Sequence, residues 1–212
     1  MGRAIVAAIE KDPSLAIAAE IEQHDALEPL QSSDVAIDFS AADATETICQ
    51  ACAQQGTPLV LGTTGHSAAQ KNVVSLAAKN IPLVFAANFS VGVNVLFALT
   101  RRAAQLLGND FDLDVIELHH RMKKDAPSGT AKHLLEILQE VRGSERAASA
   151  QSIRAGDIVG EHTVIFTGGG ERLELIHRAG SRETFAVGAL RAARWVITQA
   201  PGLYSMQDVL GL

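Results

Sequence analysis

Short apolar segments alternate with helical segments in the first half of the chain, and this alternation restricts the fold more than any other feature. Parallel strands are buried on both faces and are therefore almost continuously apolar, and a helix usually connects parallel neighbours. The pattern thus predicts an α/β domain with a parallel sheet covered by helices. The predicted strands are Leu15–Glu22, Asp34–Ser40, Thr57–Gly65 and Ile81–Ser90. The predicted helices are an opening helix that ends at Pro13, Thr45–Gln55 and Ala68–Lys79.

The second half of the chain follows a different pattern. Two apolar runs after Glu161 are joined by Gly168-Gly169-Gly170, which indicates a hairpin. Because a hairpin pairs its strands antiparallel, we expect an α+β domain with a mixed sheet. Arg142–Gly156 is the most loop-like segment of the chain. The other predicted elements are a helix over Val93–Gly108, a strand that ends in His119-His120, a helix after Thr130 and a helix over Thr184–Thr198.

The composition is that of an ordinary soluble protein. The chain has 212 residues, of which 47% are apolar, and a formal net charge of −6. Nucleic-acid binders usually carry a basic balance or a basic stripe, so we expect no nucleic-acid partner. No apolar run reaches the ~18 residues of a membrane span, and the opening helix lacks the cleavage chemistry of a signal peptide. These features predict a cytoplasmic protein without a membrane partner.

Cys49 and Cys52 have the Cys-x-x-Cys spacing of some redox and metal sites. They fall inside a predicted helix that ends at Gly56, so neither thiol lies at the N-terminus of that helix. No second pair exists to complete a zinc site. We therefore interpret them as two small apolar residues on a helix face, and we predict no metal.

Small and polar residues follow three of the predicted strands. They are Glu22, the Gly62-Thr63-Thr64-Gly65 run and the Ala86-Ala87-Asn88-Phe89-Ser90 run. Ligands of open parallel sheets bind at the carboxyl ends of the strands. A carboxylate at Glu22 would accept hydrogen bonds from a ribose diol, and the small residues would let a flat ring approach the backbone. The alternative is a solvated strand end and an ordinary turn, and these residues alone leave both open.

Positive charge is concentrated after the strand that ends in His119-His120. Adjacent strand residues face opposite sides, so the two histidines have different surroundings, and a histidine can give a proton to a reacting centre near neutral pH. Lys123 and Lys124 follow as charges for an anion or as acids. Ser128-Gly129-Thr130 offers hydroxyl and N–H groups at a helix start, which also favours an anion. Together these residues predict a site for a small dianion with an acid beside it, although each alone also fits a solvated face or a helix cap.

This basic stretch, Glu117–Ala131, resembles the signature of the dihydrodipicolinate reductase family of lysine and diaminopimelate biosynthesis. Other segments agree in order and character, and the resemblance covers almost all of the chain. It implies a Rossmann-like dinucleotide-binding domain over residues 1–90 and 182–212, and a substrate-binding and oligomerisation domain over 91–181. It also implies a homotetramer that reduces a cyclic dicarboxylate, derived from 4-hydroxy-tetrahydrodipicolinate, with NADH or NADPH. The agreeing segments are VAIDFS, LVLGTTG, FAANFSVGVNVL, RAGDIVGEHTVIF, ERLELIHRAGSRETFAVGALRAARW and GLYSMQDVLGL.

The resemblance also implies roles for individual residues. His119 matches the family's proton donor or acceptor, and Lys123 matches its catalytic proton donor. His120 matches a substrate contact, and the Ser128-Gly129-Thr130 turn holds the pair that binds a substrate carboxylate. The implied cofactor contacts are Gly62, Thr63, Thr64, Ala86, Ala87, Asn88, Phe89, Arg182 and Phe185, and Glu22 is added to them from its predicted strand end.

The sequence departs from the family at its start. A dinucleotide-binding domain is expected to begin with a strand and a glycine-rich turn, but Met1-Gly2-Arg3 resembles only the end of such a turn. We therefore expect the parallel sheet to lack its first strand. A catalytically impaired relative, or a tetrameric dicarboxylate-binding protein without a nucleotide site, is the alternative function. A different nicotinamide dehydrogenase, acting on an amino-acid semialdehyde, is a third and is disfavoured by the Lys124–Thr130 run.

Overall fold

The computed structural model describes residues 1–143 and 148–212 of the chain. It divides into two compact units, one formed by Met1–Val91 with Glu183–Leu212 and the other by Gly92–Arg182. Each unit has its own four-stranded sheet. Within the described residues, no helix combines the length and the apolar character that crossing a bilayer requires.

The N-terminal unit contains a parallel sheet with the strand order β1-β2-β3-β8. Every residue of β2 is buried, which explains why its sequence, Leu-Val-Leu, contains no polar residue. The strands are β1 (Ala36–Asp38), β2 (Leu59–Leu61), β3 (Pro82–Phe85) and β8 (Gly202–Tyr204). The helices are α1 (Gly2–Ile9), α2 (Thr45–Gln55), α3 (Ala68–Ala77), α6 (Glu183–Val196) and α7 (Met206–Leu210), with 3-10 turns at Glu28–Ser32 and Ala42–Ala44.

Both faces of this sheet are covered, and successive residues of β2 show how. Val60 packs in a core with α1, α6 and α7 residues, whereas Leu59 and Leu61 pack in a second core with α2 and α3. Side chains of a strand alternate between faces, so one short strand contributes to two cores. Cys49 and Cys52 are free thiols that are fully buried in the second core. The predicted parallel α/β architecture is confirmed.

The prediction of a strand over Leu15–Glu22 is wrong. This segment is irregular and mostly exposed, and it forms no ladder with any described strand. The edge strand β1 pairs only with β2, so no strand lies next to it on its other side in the described residues. An extended segment without a paired neighbour leaves its backbone groups to water, which explains why the apolar sequence alone does not make a strand here.

The C-terminal unit contains a mixed sheet with the order β5-β4-β6-β7. Strand β5 runs parallel to β4, while β6 is antiparallel to both β4 and β7. Helices α4 and α5 supply the apolar residues that cover one face of the sheet. The elements are α4 (Val91–Leu107), a 3-10 turn (Gly108–Asp110), β4 (Asp112–His119), α5 (Gly129–Arg142), β5 (Ser149–Arg154), β6 (Gly160–Gly168) and β7 (Glu171–Ala179).

The predicted hairpin is confirmed, since Gly169 and Gly170 connect β6 to β7. Gly170 has a φ of 97°, a conformation that glycine adopts without strain. The loop prediction over Arg142–Gly156 is wrong for Ser149–Arg154, which is β5, while residues 144–147 lie outside the described part of the chain. Strand β5 is mostly polar because it is largely exposed, so hydrophobic periodicity did not reveal it.

Candidate active site

A buried carboxylate forms the centre of the candidate site in the C-terminal unit. Glu117 and His119 lie two residues apart at the end of β4, so their side chains point to the same face of the sheet. The sheet register places His162 of β6 opposite Glu117 and Arg154 of β5 opposite His119. Two charged groups and two imidazoles therefore meet on one side of three neighbouring strands.

Glu117 is fully buried and both of its carboxylate oxygens are used. Oε2 contacts Nδ1 of His119, and Oε1 accepts hydrogen bonds from Arg154 at 2.8 Å and from the backbone N–H of Ser128 at 3.3 Å. Burial alone would raise the pKa of Glu117, but hydrogen bonds from Arg154, Ser152 and His119 outweigh it and lower the pKa to about 2. Glu117 is therefore an anion at neutral pH.

His119 is buried, and its ring lies edge-on to the ring of His162 with the centroids 5.2 Å apart. Its Nε2 faces Gly160, where a Cβ atom would lie only 3.1 Å from this nitrogen. Burial lowers the pKa of His119, and the nearby charges of Lys123 and Arg154 add to this effect, whereas Glu117 acts in the opposite direction. His119 thus has one nitrogen fixed by Glu117 and the other directed away from it.

His162 is the more deeply buried of the two imidazoles. Its Nε2 lies 3.2 Å from the hydroxyl oxygen of Ser128. Burial, followed by the charge of His119, lowers the pKa of His162 to about 4. It is therefore neutral at physiological pH, and we expect it to pack and to hydrogen bond rather than to carry charge.

The loop after β4 brings Lys123 to the same site. Its ammonium group lies 2.9 Å from Oδ1 of Asp125, and this hydrogen bond lowers the pKa of Asp125. Arg154, which binds Glu117, also donates to the carbonyl oxygen of Asp125. One guanidinium group therefore connects the lysine loop to the buried carboxylate. The peptide bond between Ala126 and Pro127, in the same loop, is cis.

The loop ends at the N-terminus of α5, which has the features of an anion site. Ser128 is the N-cap and its hydroxyl oxygen accepts a hydrogen bond from the N–H of Ala131. Gly129 is exposed, and a Cβ built on it would meet nothing within 4 Å. The helix start is therefore open to a ligand, and its dipole favours a negative charge there.

The strand ends of the N-terminal unit form a second candidate site. Asp38, at the end of β1, accepts hydrogen bonds from the hydroxyl of Thr63 at 2.8 Å and from the backbone N–H of Ser40 at 2.9 Å. The backbone carbonyl oxygen of Asp38 also accepts a hydrogen bond from the N–H of Gly62 at 2.8 Å. One aspartate therefore fixes the chain directly after β1 and directly after β2.

Close packing fixes the chain that follows β3, the third strand end of this unit. A Cβ on Gly62 would lie 2.2 Å from the ring of Phe39, and this ring packs edge-on against Phe89 at 5.3 Å. A Cβ on Gly188 of α6 would lie 1.7 Å from the carbonyl oxygen of Phe89. Gly188 is required because a backbone atom occupies the position of its missing side chain, and a side chain at Gly62 would force the Phe39 ring to move.

Two family models match the chain. The model described as dihydrodipicolinate reductase, N-terminus, matches residues 1–89, and the one described as dihydrodipicolinate reductase, C-terminus, matches residues 92–210. The chain belongs to the dihydrodipicolinate reductase family. The resemblance inferred from the sequence motifs is thereby confirmed.

Relatives in this family match at high identity. The 4-hydroxy-tetrahydrodipicolinate reductase of Akkermansia muciniphila is 48% identical in a match that covers 100% of this chain and 94% of the relative. The enzyme of the same name from Magnetococcus marinus is 47% identical over 88% of this chain and 76% of the relative. Both matches extend across the two units.

Solved structures support the fold. A dipicolinate-bound dihydrodipicolinate reductase from Paenisporosarcina sp. TG-14 superposes with a TM-score of 0.82 at 22% identity and covers 98% of this chain and 94% of its own. A probable dehydrogenase from Thermotoga maritima gives a TM-score of 0.59 at 10% identity, over 88% and 77% of the two chains. At these identities the likeness concerns the fold.

The structure brings some of the residues suggested by the family resemblance together and leaves others apart. His119, Lys123 and Ser128 join one network through Glu117, Arg154 and Asp125. His120 is half-buried at the end of β4. Thr130 is half-buried in the first turn of α5, next to Gly129.

The expected cofactor residues of the dihydrodipicolinate reductase family are less closely connected. Thr64 and Ala87 are exposed at the strand ends, with Ala86 and Asn88 half-buried. Glu22 lies in the irregular segment, where its backbone N–H binds Asp25, so it does not end a strand as predicted. Phe185 is half-buried in α6, and Arg182 is the last residue of the C-terminal unit.

Sequence reasoning missed Glu117, Arg154, His162 and Asp38 as parts of these sites. Glu117 could have been found, because it is two residues before His119 on a predicted strand. Arg154 and His162 could not, because only the register of β5 and β6 on β4 places them there. Long-range register is not visible in local patterns.

Glu117, His119 and His162 place three ligand atoms within 4.8 Å of one another, a spacing that a metal ion could use. The guanidinium of Arg154 already neutralises the carboxylate at 2.8 Å. A cation would have to displace Arg154 or bind beside it and Lys123. We therefore assign no metal to this cluster.

Proposed function

We propose that this protein reduces 4-hydroxy-tetrahydrodipicolinate to tetrahydrodipicolinate, with NADH or NADPH as the hydride donor. The observation that carries the proposal is the network of His119, Lys123 and the open α5 start, in a chain that is 48% identical to an enzyme of that name. Overall, the substrate, one NAD(P)H and one proton give the tetrahydro product, the oxidised cofactor and water.

The C-terminal unit supplies what a dicarboxylate and its protonation require. The α5 start at Gly129 and Thr130, capped by Ser128, offers N–H groups and a helix dipole to one carboxylate. His120 and Lys123 follow the same strand and would contact the substrate. His119 and Lys123 are the groups that would give the proton, because an imidazolium and an ammonium group can each act as a general acid and both residues belong to the same network.

The N-terminal unit fits a nicotinamide cofactor. When bound, the cofactor supplies the hydride. The exposed small residues at the strand ends, Thr64, Gly65 and Ala87, leave space for a flat ring and its ribose against the backbone. Asp38 holds these ends through Thr63, so the surface is fixed before a ligand arrives. Glu22, Arg182 and Phe185 complete the proposed cofactor set.

A homotetramer is proposed from the open face of the C-terminal sheet. Ile116 and Leu118 of β4 alternate with the core residues and so point away from α4 and α5. Ile153 and Ile176 on the two outer strands are 45% and 46% exposed. An apolar sheet face of this kind favours association. Light scattering, with an expected mass near four times 22.4 kDa, tests this.

We place the protein in the cytoplasm, where cysteines stay reduced. Cys49 and Cys52 are both free and buried, as expected for such a compartment. Burial raises the pKa of Cys49 to about 11 and of Cys52 to about 12, so neither thiol is reactive.

The deciding experiment is a calorimetric titration of the purified chain with NADH and with NADPH. Each titration is made alone and with pyridine-2,6-dicarboxylate, a planar mimic of the product. Micromolar cofactor binding that the dicarboxylate strengthens, together with turnover of the substrate, would support the reductase. Dicarboxylate binding without cofactor binding or turnover would instead favour the dicarboxylate-binding alternative.

Lys123→Ala tests the role of the lysine in this reaction. We expect kcat to fall by about 10²- to 10⁴-fold, because a positioned proton donor contributes that much, while NADH affinity changes little. Lys124→Ala is the matched control, since Lys124 is the adjacent exposed lysine. An equal loss of turnover and of NADH affinity in Lys123→Ala would contradict the assignment.

A further inference from the structure

We infer that Glu117 is a positioning residue that holds His119 in one tautomer and one orientation, and joins it to the α5 start. The inference rests on the proposed function, because it assigns His119 to the proton transfer. Glu117 itself has no exposed surface and would not contact the substrate. Its effect on the reaction would pass through His119 and Ser128.

The tautomer follows from the partners of the carboxylate. Arg154 is a permanent cation, and its bond to Glu117 Oε1 at 2.8 Å keeps the carboxylate ionised. An ionised carboxylate accepts hydrogen bonds and donates none. The contact between Oε2 and His119 therefore requires the proton to be on Nδ1. Nε2 of the neutral ring is left as the nitrogen that can exchange a proton.

The same carboxylate also positions the substrate side of the site. Oε1 of Glu117 accepts a hydrogen bond from the backbone N–H of Ser128, the residue that caps α5. His119 and the proposed carboxylate site at the start of α5 are therefore both held by the buried carboxylate of Glu117. Arg154 links Glu117 to the loop that carries Lys123, because it also donates a hydrogen bond to the carbonyl oxygen of Asp125. Satisfied hydrogen bonds make a buried polar group rigid, and both oxygens of Glu117 have partners here.

Glu117→Gln tests the inference because it changes the hydrogen-bond pattern more than the volume. Arg154 has only donors, so the amide oxygen of the new side chain must face Arg154. The amide NH₂ then faces His119, whose Nδ1 must become an acceptor, and the proton moves to Nε2. The imidazole ¹⁵N shifts of His119 report this directly: we expect Nδ1–H in the wild type and Nε2–H in the variant.

The activity of Glu117→Gln gives a second, independent readout. We expect kcat to fall by about 10²-fold or more, the lower end of what a general acid or base contributes, with a smaller change in KM for the dicarboxylate. Because His119 is proposed to donate a proton, its deprotonation sets the basic limb of the pH profile, and this limb should move to lower pH. This direction follows because Glu117 favours the protonated form of His119, whereas desolvation and the charges of Lys123 and Arg154 oppose it. The His162 ring, which packs against His119, is uncharged at neutral pH.

Glu161→Gln is the matched control. Glu161 lies on the neighbouring strand β6, is half-buried and binds Arg178 at 3.1 Å. We expect this variant to keep the wild-type tautomer, pH profile and kcat. If Glu117→Gln does not fold, Glu117→Asp replaces it, because the shorter carboxylate still neutralises Arg154 but cannot reach His119 at the same time.

An Nδ1–H tautomer with wild-type kcat in a folded Glu117 variant would overturn the inference. The NMR measurement needs no substrate, so it also separates the two possible failures. Absence of reductase turnover in the wild type would remove the proposed function, whereas an Nε2–H tautomer in the wild type would remove the positioning role of Glu117.

Discussion

The candidate sites of the two units are held in place by different kinds of interaction. In the N-terminal unit, the strand ends are fixed by hydrogen bonds to Asp38, by the Phe39 ring beside Gly62 and by the Phe89 backbone beside Gly188. In the C-terminal unit, ionised side chains occupy the centre, with Glu117 and Arg154 paired in a buried network. The first site depends mainly on close packing around one aspartate, and the second depends on paired charges.

This difference predicts different sensitivities. Packed interiors respond to an added methyl group because neighbouring atoms cannot give way without strain. Buried ionisable groups respond to pH because their protonation is coupled to folding. Substitutions that add volume should therefore affect the N-terminal site most, and acidification should affect the C-terminal site most.

Gly188→Ala is expected to have the largest effect on stability. The new Cβ would lie 1.7 Å from the carbonyl oxygen of Phe89, a backbone atom that cannot rotate away. The chain after β3 or helix α6 must shift, at a cost of about 3 kcal/mol in the free energy of unfolding, the upper part of the usual range for overpacking. Urea unfolding of the variant measures this cost.

Gly2→Ala is the control for Gly188→Ala. Gly2 is also helical, but a Cβ there would meet nothing within 4 Å. We expect it to be neutral or slightly stabilising, since alanine favours a helix over glycine. Equal stability of the two variants would show that the contact between Gly188 and Phe89 is not a fixed part of the fold.

Local elements were predictable from the sequence, and α2 shows why. Its predicted bounds, Thr45–Gln55, are those of the structure, because Gly56 ends it in the left-handed conformation with a φ of 73°. Strand Leu15–Glu22 was predicted from its apolar residues and does not form. A helix is satisfied by its own hydrogen bonds, whereas a strand depends on a partner elsewhere in the chain.

The sites show the same division between local and distant information. His119 and Lys123 lie in one short stretch, so the sequence could predict that they belong to one site. Arg154 and His162 enter the site only through the register of two other strands. Strand β8 was also missed, since Gly202–Tyr204 is short and gains its hydrogen bonds from β3.

The pH dependence of stability is expected to come from the C-terminal unit. Burial, and then the charge of His119, lowers the pKa of His162 from 6.5 to about 4. Below pH 6.5, His162 binds a proton in the unfolded chain but stays neutral in the folded chain. Its contribution to stability is therefore complete above pH 6.5 and is lost as the pH falls toward 4. The difference corresponds to about 3 kcal/mol at most.

His162→Gln should flatten the fall of the urea midpoint between pH 7 and pH 4.5, because a neutral amide has no proton to gain. His24→Gln, which removes an exposed histidine of the N-terminal unit, serves as its control and should leave the slope unchanged. Equal slopes in the wild type and His162→Gln would locate the pH dependence elsewhere.

Two N-cap serines, one from each unit, provide the smallest and most closely matched test of the comparison. Ser67 caps α3 in the N-terminal unit and is exposed, whereas Ser128 caps α5 and is buried. Ser67→Ala should lower the free energy of unfolding by about 1 kcal/mol, the usual value of a cap. Ser128→Ala removes a cap and also leaves Nε2 of the buried His162 without its partner, which adds about 1 kcal/mol or more.

The pair also separates the value of an ordinary helix cap from that of the buried hydrogen bond to His162. If the excess cost of Ser128→Ala arises from the unpaired imidazole, it should shrink in a His162→Gln background, where the more flexible amide can turn to other partners. A double-mutant cycle in urea measures this coupling between the two side chains. A cost of Ser128→Ala that equals that of Ser67→Ala, with no coupling to His162, would mean that the buried network contributes nothing beyond an ordinary helix cap, and the contrast between the two sites would then rest on shape alone.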